Sequence, residues 1–261
     1  MRALVHCAAP VAVRATTVCE IAFGPADVNA ARIEPACPTG NGCFTLYYGY
    51  IQNPACRDAT LRIIAGARPN FVVVGDGQAA RDDIPACLHE NGIRAVQYVA
   101  LGYGTAPCAT VDAAVDTAMQ ADYDGVFFDQ AGAADNVSAY QRARSARVKR
   151  YGAARLVILN PGLVPPDASM FTYADIVCVE NQYDRPLPAD WCIPAWRWMA
   201  VQGDPASQAA ISAQDSANRL MTFRANGGFW YYSSNYATSG ATAIELPPWY
   251  ADFASWVVRN P

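Results

Sequence analysis

The chain is built from short apolar runs separated by longer stretches in which apolar residues recur every three or four positions. The plainest run is Asp124-Gly125-Val126-Phe127-Phe128-Asp129-Gln130, which ends abruptly on a carboxylate. It is too short and too evenly apolar for an amphipathic helix, and Val and Phe favour extended backbone. A strand that is apolar on both faces belongs in a parallel sheet with helices packed over it. An acid at the end of such a strand lies on the rim where α/β folds gather their chemistry.

The same rhythm continues from Cys43 onward. Strands are predicted at 44–51, 70–74, 93–101, 125–129, 155–160, 175–180, 195–201 and 228–232, and helices at 55–67, 84–91, 111–121, 137–151, 207–226 and 248–258. Strand five stops at Pro161-Gly162, and the connection after it is irregular. Strands alternating with helices in this way predict an α/β fold, a single-domain (β/α)8 barrel of the TIM type over 43–261, rather than an open sheet. Residues 1–42 lack the rhythm and read as an N-terminal extension, with strand-like pieces at 11–13 and 18–23 and a loop over 25–42.

Composition narrows the function classes. A length of 261 residues fits one large domain, and 52% hydrophobic against 16% charged residues provides for a sizeable core. A net charge of -4, with scattered arginines and Lys149 as the only lysine, argues against a nucleic-acid partner or a polybasic membrane surface. No apolar run reaches transmembrane length. No clear signal peptide is expected in residues 1–15, where His6, Cys7, Pro10 and Arg14 interrupt any apolar core. Nine cysteines nevertheless favour an oxidising compartment, so a secreted or cell-surface protein is expected. Cys37 with Cys43, Cys7 with Cys19 and Cys87 with Cys108 are candidate disulfides, whereas Cys178 inside an apolar run reads as a buried hydrophobe. A monomer is expected.

On such a barrel the C-terminal strand ends share one face. They supply Tyr48, Tyr50 and Asn53; Asp76; Tyr98 and Tyr103; Asp129 and Gln130; Asn160; Glu180, Asn181 and Tyr183; Gln202 and Asp204; and Tyr231 and Tyr232. Rings of this kind stack on the apolar faces of sugars, while carboxylates and amides hydrogen-bond hydroxyls. Asp129 and Glu180 are the best catalytic pair, because each ends a strongly apolar strand where burial raises a carboxyl pKa toward that of a general acid. Tyr48, Asp76, Tyr98, Tyr103, Gln130, Asn160, Asn181 and Tyr183 are the expected substrate contacts. Gly75-Asp76-Gly77-Gln78-Ala79-Ala80 matches a dinucleotide fingerprint in outline, but Pro85 interrupts the helix that should open there, so a tight turn presenting Asp76 is the better reading. His6 and His89, the only histidines, provide little material for a Ser-His-Asp triad or a His-rich metal site.

Four segments together resemble spherulin-four-like proteins (spherulation-specific family 4), grouped with glycoside hydrolase family 135. They are Tyr98 to Thr105 (YVALGYGT), Tyr123 to Asp129 (YDGVFFD), Leu159 to Gly162 (LNPG) and Ala174 to Val177 with Glu180-Asn181. The resemblance implies a (β/α)8 barrel and, for characterised members, endo-acting hydrolysis of an α-linked galactosamine-containing polysaccharide without a cofactor. It implies Asp129 as nucleophile or charge stabiliser and Glu180 as acid/base. Two positions depart from the family: Gln130 stands where an acid usually follows the strand-four Asp, and Gly75-Asp76-Gly77 replaces an Asn-Pro. Two rival readings stay open. One is a non-catalytic carbohydrate-binding barrel, motivated by Gln130; the other is a metal-assisted hydrolase on Asp76, Asp129 and Glu180.

Overall fold

The computed structural model describes residues 40–47, 59–75, 80–132, 135–203, 211–234 and 246–260, all within the unit Ala31–Pro261. Eight parallel strands follow one another around a nearly closed barrel: β1 (Phe44–Tyr47), β2 (Phe71–Val74), β3 (Arg94–Ala100), β4 (Gly125–Asp129), β5 (Leu156–Gly162), β6 (Ile176–Glu180), β7 (Trp198–Gly203) and β8 (Trp230–Ser234). A bridge between Cys43 and Tyr231 joins the last strand to the first. Six helices lie among the described residues: α1 (Ala59–Ala67), α2 (Asp83–His89), α3 (Cys108–Gln120), α4 (Asp135–Arg150), α5 (Ala213–Ala225) and α6 (Tyr250–Arg259). The expected (β/α)8 barrel is the fold, and no described helix is long and apolar enough to cross a membrane.

Strand residues alternate between the barrel interior and the helix layer. Thr45 bonds Tyr250 on α6, so it points outward and its neighbour Phe44 points inward. Phe44 stacks on Phe71 at 5.3 Å, and Phe71 meets Trp230 of β8 at 5.2 Å, across the strand that separates them. Higher in the interior, Tyr98 stacks on Phe127 at 6.1 Å. All of these rings are buried, so the barrel is filled with side chains and leaves only its rim for chemistry.

The helix layer is incomplete on one side. Between β5 and β6 stands a short 3-10 turn, Ala168–Thr172, and between β6 and β7 two more, Ala189–Trp191 and Ala195–Arg197. In place of a helix, the buried Arg197 donates to the carbonyls of Asp175 (3.0 Å), Phe171 (2.6 Å) and Ala174, with its guanidinium over the Phe171 ring. That turn delays β7 to residue 198, three positions later than predicted. β8 begins two positions late, because Gly227 and Gly228 close α5 through a bond from Gly228 N–H to the Phe223 carbonyl. α5 begins at 213, where Ser212 and Asp215 form a reciprocal capping box. Pro85 does not interrupt α2; it sits in the first turn, where an N–H has no intrahelical partner to lose.

The cysteine expectation is corrected. Cys87 and Cys108 are not joined in a disulfide, the first being buried in α2 and the second opening α3. Cys43 is free and fully buried at the β1–β8 seam, where burial pushes its thiol up to about 12, so it is not paired with Cys37. Cys178 and Cys192 are free as well, and Cys7 and Cys19 lie outside the described residues.

Lys149, the only lysine, bonds the fully buried carboxylate of Asp175 at 2.7 Å, and Asp175 also accepts the Val157 N–H at 2.7 Å. One buried acid thus ties α4, β5 and β6 together. Lys149→Met leaves that charge without its cation, and the expected cost is about 3–5 kcal/mol. The measurement is the urea midpoint, which falls at unchanged slope; a loss below about 1 kcal/mol would mean that the remaining partners of Asp175, the Val157 N–H among them, satisfy it without Lys149.

Candidate active site

The rim chemistry comes from three neighbouring strands. On β4 the inward positions Gly125 and Phe127 lead to Asp129, on β5 Ile158 leads to Asn160, and on β6 Ile176 and Cys178 lead to Glu180. Parallel pairing of Phe127 with Ile158, and of Ile158 with Ile176, sets these side chains at corresponding levels.

One atom joins them. Asn160 Nδ2 donates to Asp129 Oδ1 and to Glu180 Oε1, both at 2.6 Å. The two carboxylate oxygens are therefore at most twice 2.6 Å, or 5.2 Å, apart. The second oxygen of Asp129 accepts the Tyr98 hydroxyl at 2.6 Å. Tyr98 is 8% exposed and Asn160 2%, whereas Asp129 and Glu180 are half-buried and open to the rim. Beneath the pair, the Cys178 thiol is held well above its usual range, first by burial and then by the negative charges of Glu180 and Asp129. It stays protonated and takes no part as a nucleophile.

The strand ends are shaped by left-handed backbone. Gln130, directly after Asp129, has φ 53°, and Asn181, directly after Glu180, has φ 53°. Gly102, Tyr103 and Gly104 form a third such segment, with φ of 56°, 54° and 86°. The flanking glycines make that turn possible, and Tyr103 N–H seals it by donating to the Gln130 carbonyl at 2.7 Å. Tyr103 thereby stands 62% exposed beside the end of β4. A bulky residue held left-handed is strained, and strain of this kind collects at functional sites.

Other candidates are placed differently. Asn181 Oδ1 accepts the Gly203 N–H at 3.0 Å, so that atom caps β7. The Tyr183 ring packs against Tyr231 at 6.2 Å with the Arg219 guanidinium of α5 over it, which places it in the helix layer and away from Asp129. Tyr232 is buried between Phe44 and Tyr250. Tyr48, Tyr50, Asn53, Asp76 and Asp204 lie outside the described residues. Gln182 was not singled out from the sequence; it is buried and its Nε2 donates to the Gly162 carbonyl at 3.2 Å, a contact with no sequence signature. Among the described residues no three His, Cys, Asp or Glu side chains gather as a metal site.

The strain at Gln130 has a measurable sign. Gln130→Gly removes a left-handed penalty of about 1–2 kcal/mol and adds unfolded-chain freedom of about 0.5–1 kcal/mol, so stability is expected to hold or rise by up to about 1.5 kcal/mol. Thermal and urea unfolding check this, and a clear loss would show that the Gln130 side chain contributes packing.

Solved structures share this architecture. Sph3 from Aspergillus clavatus, crystallised in complex with GalNAc, superposes with a TM-score of 0.63 at 18% identity, covering 87% of this chain and 99% of that one. A putative dihydrodipicolinate synthase family protein from Coccidioides immitis gives 0.50 at 11% identity, covering 76% and 68%. At these identities the likeness is one of fold. No curated protein matches the sequence. The sequence profile of spherulation-specific family 4 matches residues 73–222, more than half of the 261 residues and a span that holds all four motifs. The chain belongs to spherulation-specific family 4.

Proposed function

We propose that the protein is a glycoside hydrolase that cuts within a polymer of α-linked galactosamine or N-acetylgalactosamine, with Asp129 as nucleophile and Glu180 as general acid/base. The observation that carries this reading is the pair of rim carboxylates whose near oxygens, Asp129 Oδ1 and Glu180 Oε1, are held within 5.2 Å by one amide nitrogen. Retaining glycosidases keep their carboxyl groups about 5–5.5 Å apart, and inverting ones about 6.5–9.5 Å, to leave room for a water. The sugar class rests on family membership and on the GalNAc complex of the structurally similar Sph3.

The donors support this allocation of roles. Asp129 receives a hydrogen bond on each oxygen, from Tyr98 and from Asn160, and an oxygen accepting such a bond carries no proton of its own along it. That suits an attacking carboxylate. Glu180 receives the amide on Oε1, so its proton is carried by Oε2. In the first step Glu180 protonates the glycosidic oxygen, the C1–O bond breaks, and an Asp129 oxygen bonds to C1. In the second, Glu180 takes a proton from water, the hydroxide oxygen bonds to C1, and Asp129 leaves. Tyr103 and Gln130 line the edge beside Asp129, where a ring and an amide suit a sugar face and its hydroxyl or acetamide groups. A polymeric glycan of this kind is met outside the cell, so the reading includes export.

Gln130 supports a second reading, a carbohydrate-binding barrel without turnover, since an amide stands where the family usually carries an acid.

Incubation with N-acetylated and de-N-acetylated α-1,4-linked galactosamine oligosaccharides, followed by mass spectrometry, separates the two readings. Shorter oligomers are expected from the wild type, with a loss of about 10²–10⁴-fold in Glu180→Gln. Binding without cleavage in both proteins would favour the second reading. Proton NMR at early times is expected to show α-anomeric products, and β-anomers appearing first would rule out the double displacement.

A further inference from the structure

Asn160 was expected to touch substrate, yet at 2% exposure it is sealed beneath the rim. Its surroundings account for a different task. The ladder between β5 and β6 shifts register between Leu159 and Gly162, so Asn160-Pro161-Gly162 forms an irregularity at the level of the site. Pro161 has no N–H for a ladder, and Gly162 takes φ 75°. Among the described residues nothing lies within 4 Å of the Cβ that a larger residue would place at Gly162, and its φ of 75° accounts for the glycine. The turn brings Gly162 N–H to Asn160 Oδ1 at 3.1 Å, while Gln182 holds the Gly162 carbonyl. Bulges beside functional sites re-aim single side chains in this way.

With Oδ1 committed to an N–H, the amide orientation is decided. The opposite orientation would set an oxygen against two carboxylates and an NH2 against an N–H donor. Both Nδ2 hydrogens are spent, one on each acid. Two carboxyl groups this close, left without a donor between them, share one proton and titrate as a coupled pair.

We infer that Asn160 is the positioning residue of this site: locked by the Asn160-Pro161-Gly162 bulge, its amide keeps Asp129 and Glu180 apart as two separate acceptors, bars a proton shared between Oδ1 and Oε1, and assigns the mobile proton to Glu180 Oε2. The kinetic part of this inference rests on the glycosidase reading; the titration part does not. The other titratable groups on the inward positions and turns around the pair, among the described residues, are Tyr98 from β3, Tyr103 from the turn after β3, Cys178 from β6 and Tyr232 from β8. Ile158 of β5 and Met199 and Val201 of β7 are apolar, and Gln130 and Asn181 on the adjoining turns are neutral.

The test is Asn160→Leu, which keeps the volume and removes both donors, with Gly162→Ala as a milder variant that disturbs the bulge through its backbone alone. Carbon-13 NMR of labelled Asp and Glu carboxyl groups follows the pair directly, whether or not the protein turns over any glycan. In Asn160→Leu the upper titration step of the pair is expected to move to higher pH, because the ionised forms lose a donor and one proton becomes shared. Gly162→Ala is expected to move it the same way by less. On a cleaved oligosaccharide, kcat falls about 10²-fold, as for a misplacement of about 1 Å, and the alkaline limb of kcat/KM follows the NMR step. Carboxyl titrations unchanged in both variants, with only stability or kcat reduced, would overturn the inference. Absence of cleavage by the wild type with a shifted NMR step would sink the glycosidase reading and leave the role of Asn160 standing.

Discussion

Parallel register is the constraint on which the rest of the molecule depends. Side chains alternate across a strand, so the ladder decides which residues share a level inside the barrel. Pairing of Phe127 with Ile158, and of Ile158 with Ile176, is enough to bring the ends of β4, β5 and β6 to one place. A slip of one residue on β4 would turn Asp129 toward the helices and Phe128 toward the rim. The buried ring of Phe127, packed on Tyr98, makes such a slip costly, since it would leave a filled interior. Core packing and site geometry are in this sense one property.

The rim departs from regular backbone where chemistry is concentrated. Gln130 and Asn181 leave their strands through left-handed residues, and β5 leaves through a bulge. Each departure is secured by a hydrogen bond: Tyr103 N–H on the Gln130 carbonyl, Gly203 N–H on Asn181 Oδ1, Gly162 N–H on Asn160 Oδ1. Regular ladders bring the carboxylates near one another. The irregular exits then fix how they face.

Most of the barrel is legible in the sequence, because an apolar strand buried on both sides has a plain signature and eight of them recur from Phe44 to Tyr232. Asp129 and Glu180 stand out by ending such strands. What escapes is direction and substitution. Tyr183 sits one turn beyond a rim residue, yet the chain has already bent down the outer side, and nothing in Asn181-Gln182-Tyr183 encodes that bend. Asn160 reads as a polar rim residue, and its burial follows from a bulge that Pro161-Gly162 permits but does not specify. The late start of β7 has the same character: Ala195-Trp196-Arg197 looks strand-like, and the buried arginine that makes it a turn finds its carbonyl partners on a segment far back in the chain.

The incomplete helix layer bears on how the barrel opens. Seven of the strands stand next to a helix in sequence, but β6 is flanked on both sides by 3-10 turns, with Arg197 and the rings of Phe171, Trp191 and Trp198 covering that quadrant. Cooperative units with less buried cover open at lower free energy than the global unfolding. Glu180 is then carried by the quadrant that lacks helix cover, and Asp129 by the side under α3 and α4. Opening of that quadrant would part the two carboxylates while the β3–β4 pairing beneath Asp129 stayed in place, so the assembled site leans on the contacts that Arg197 makes in place of a helix.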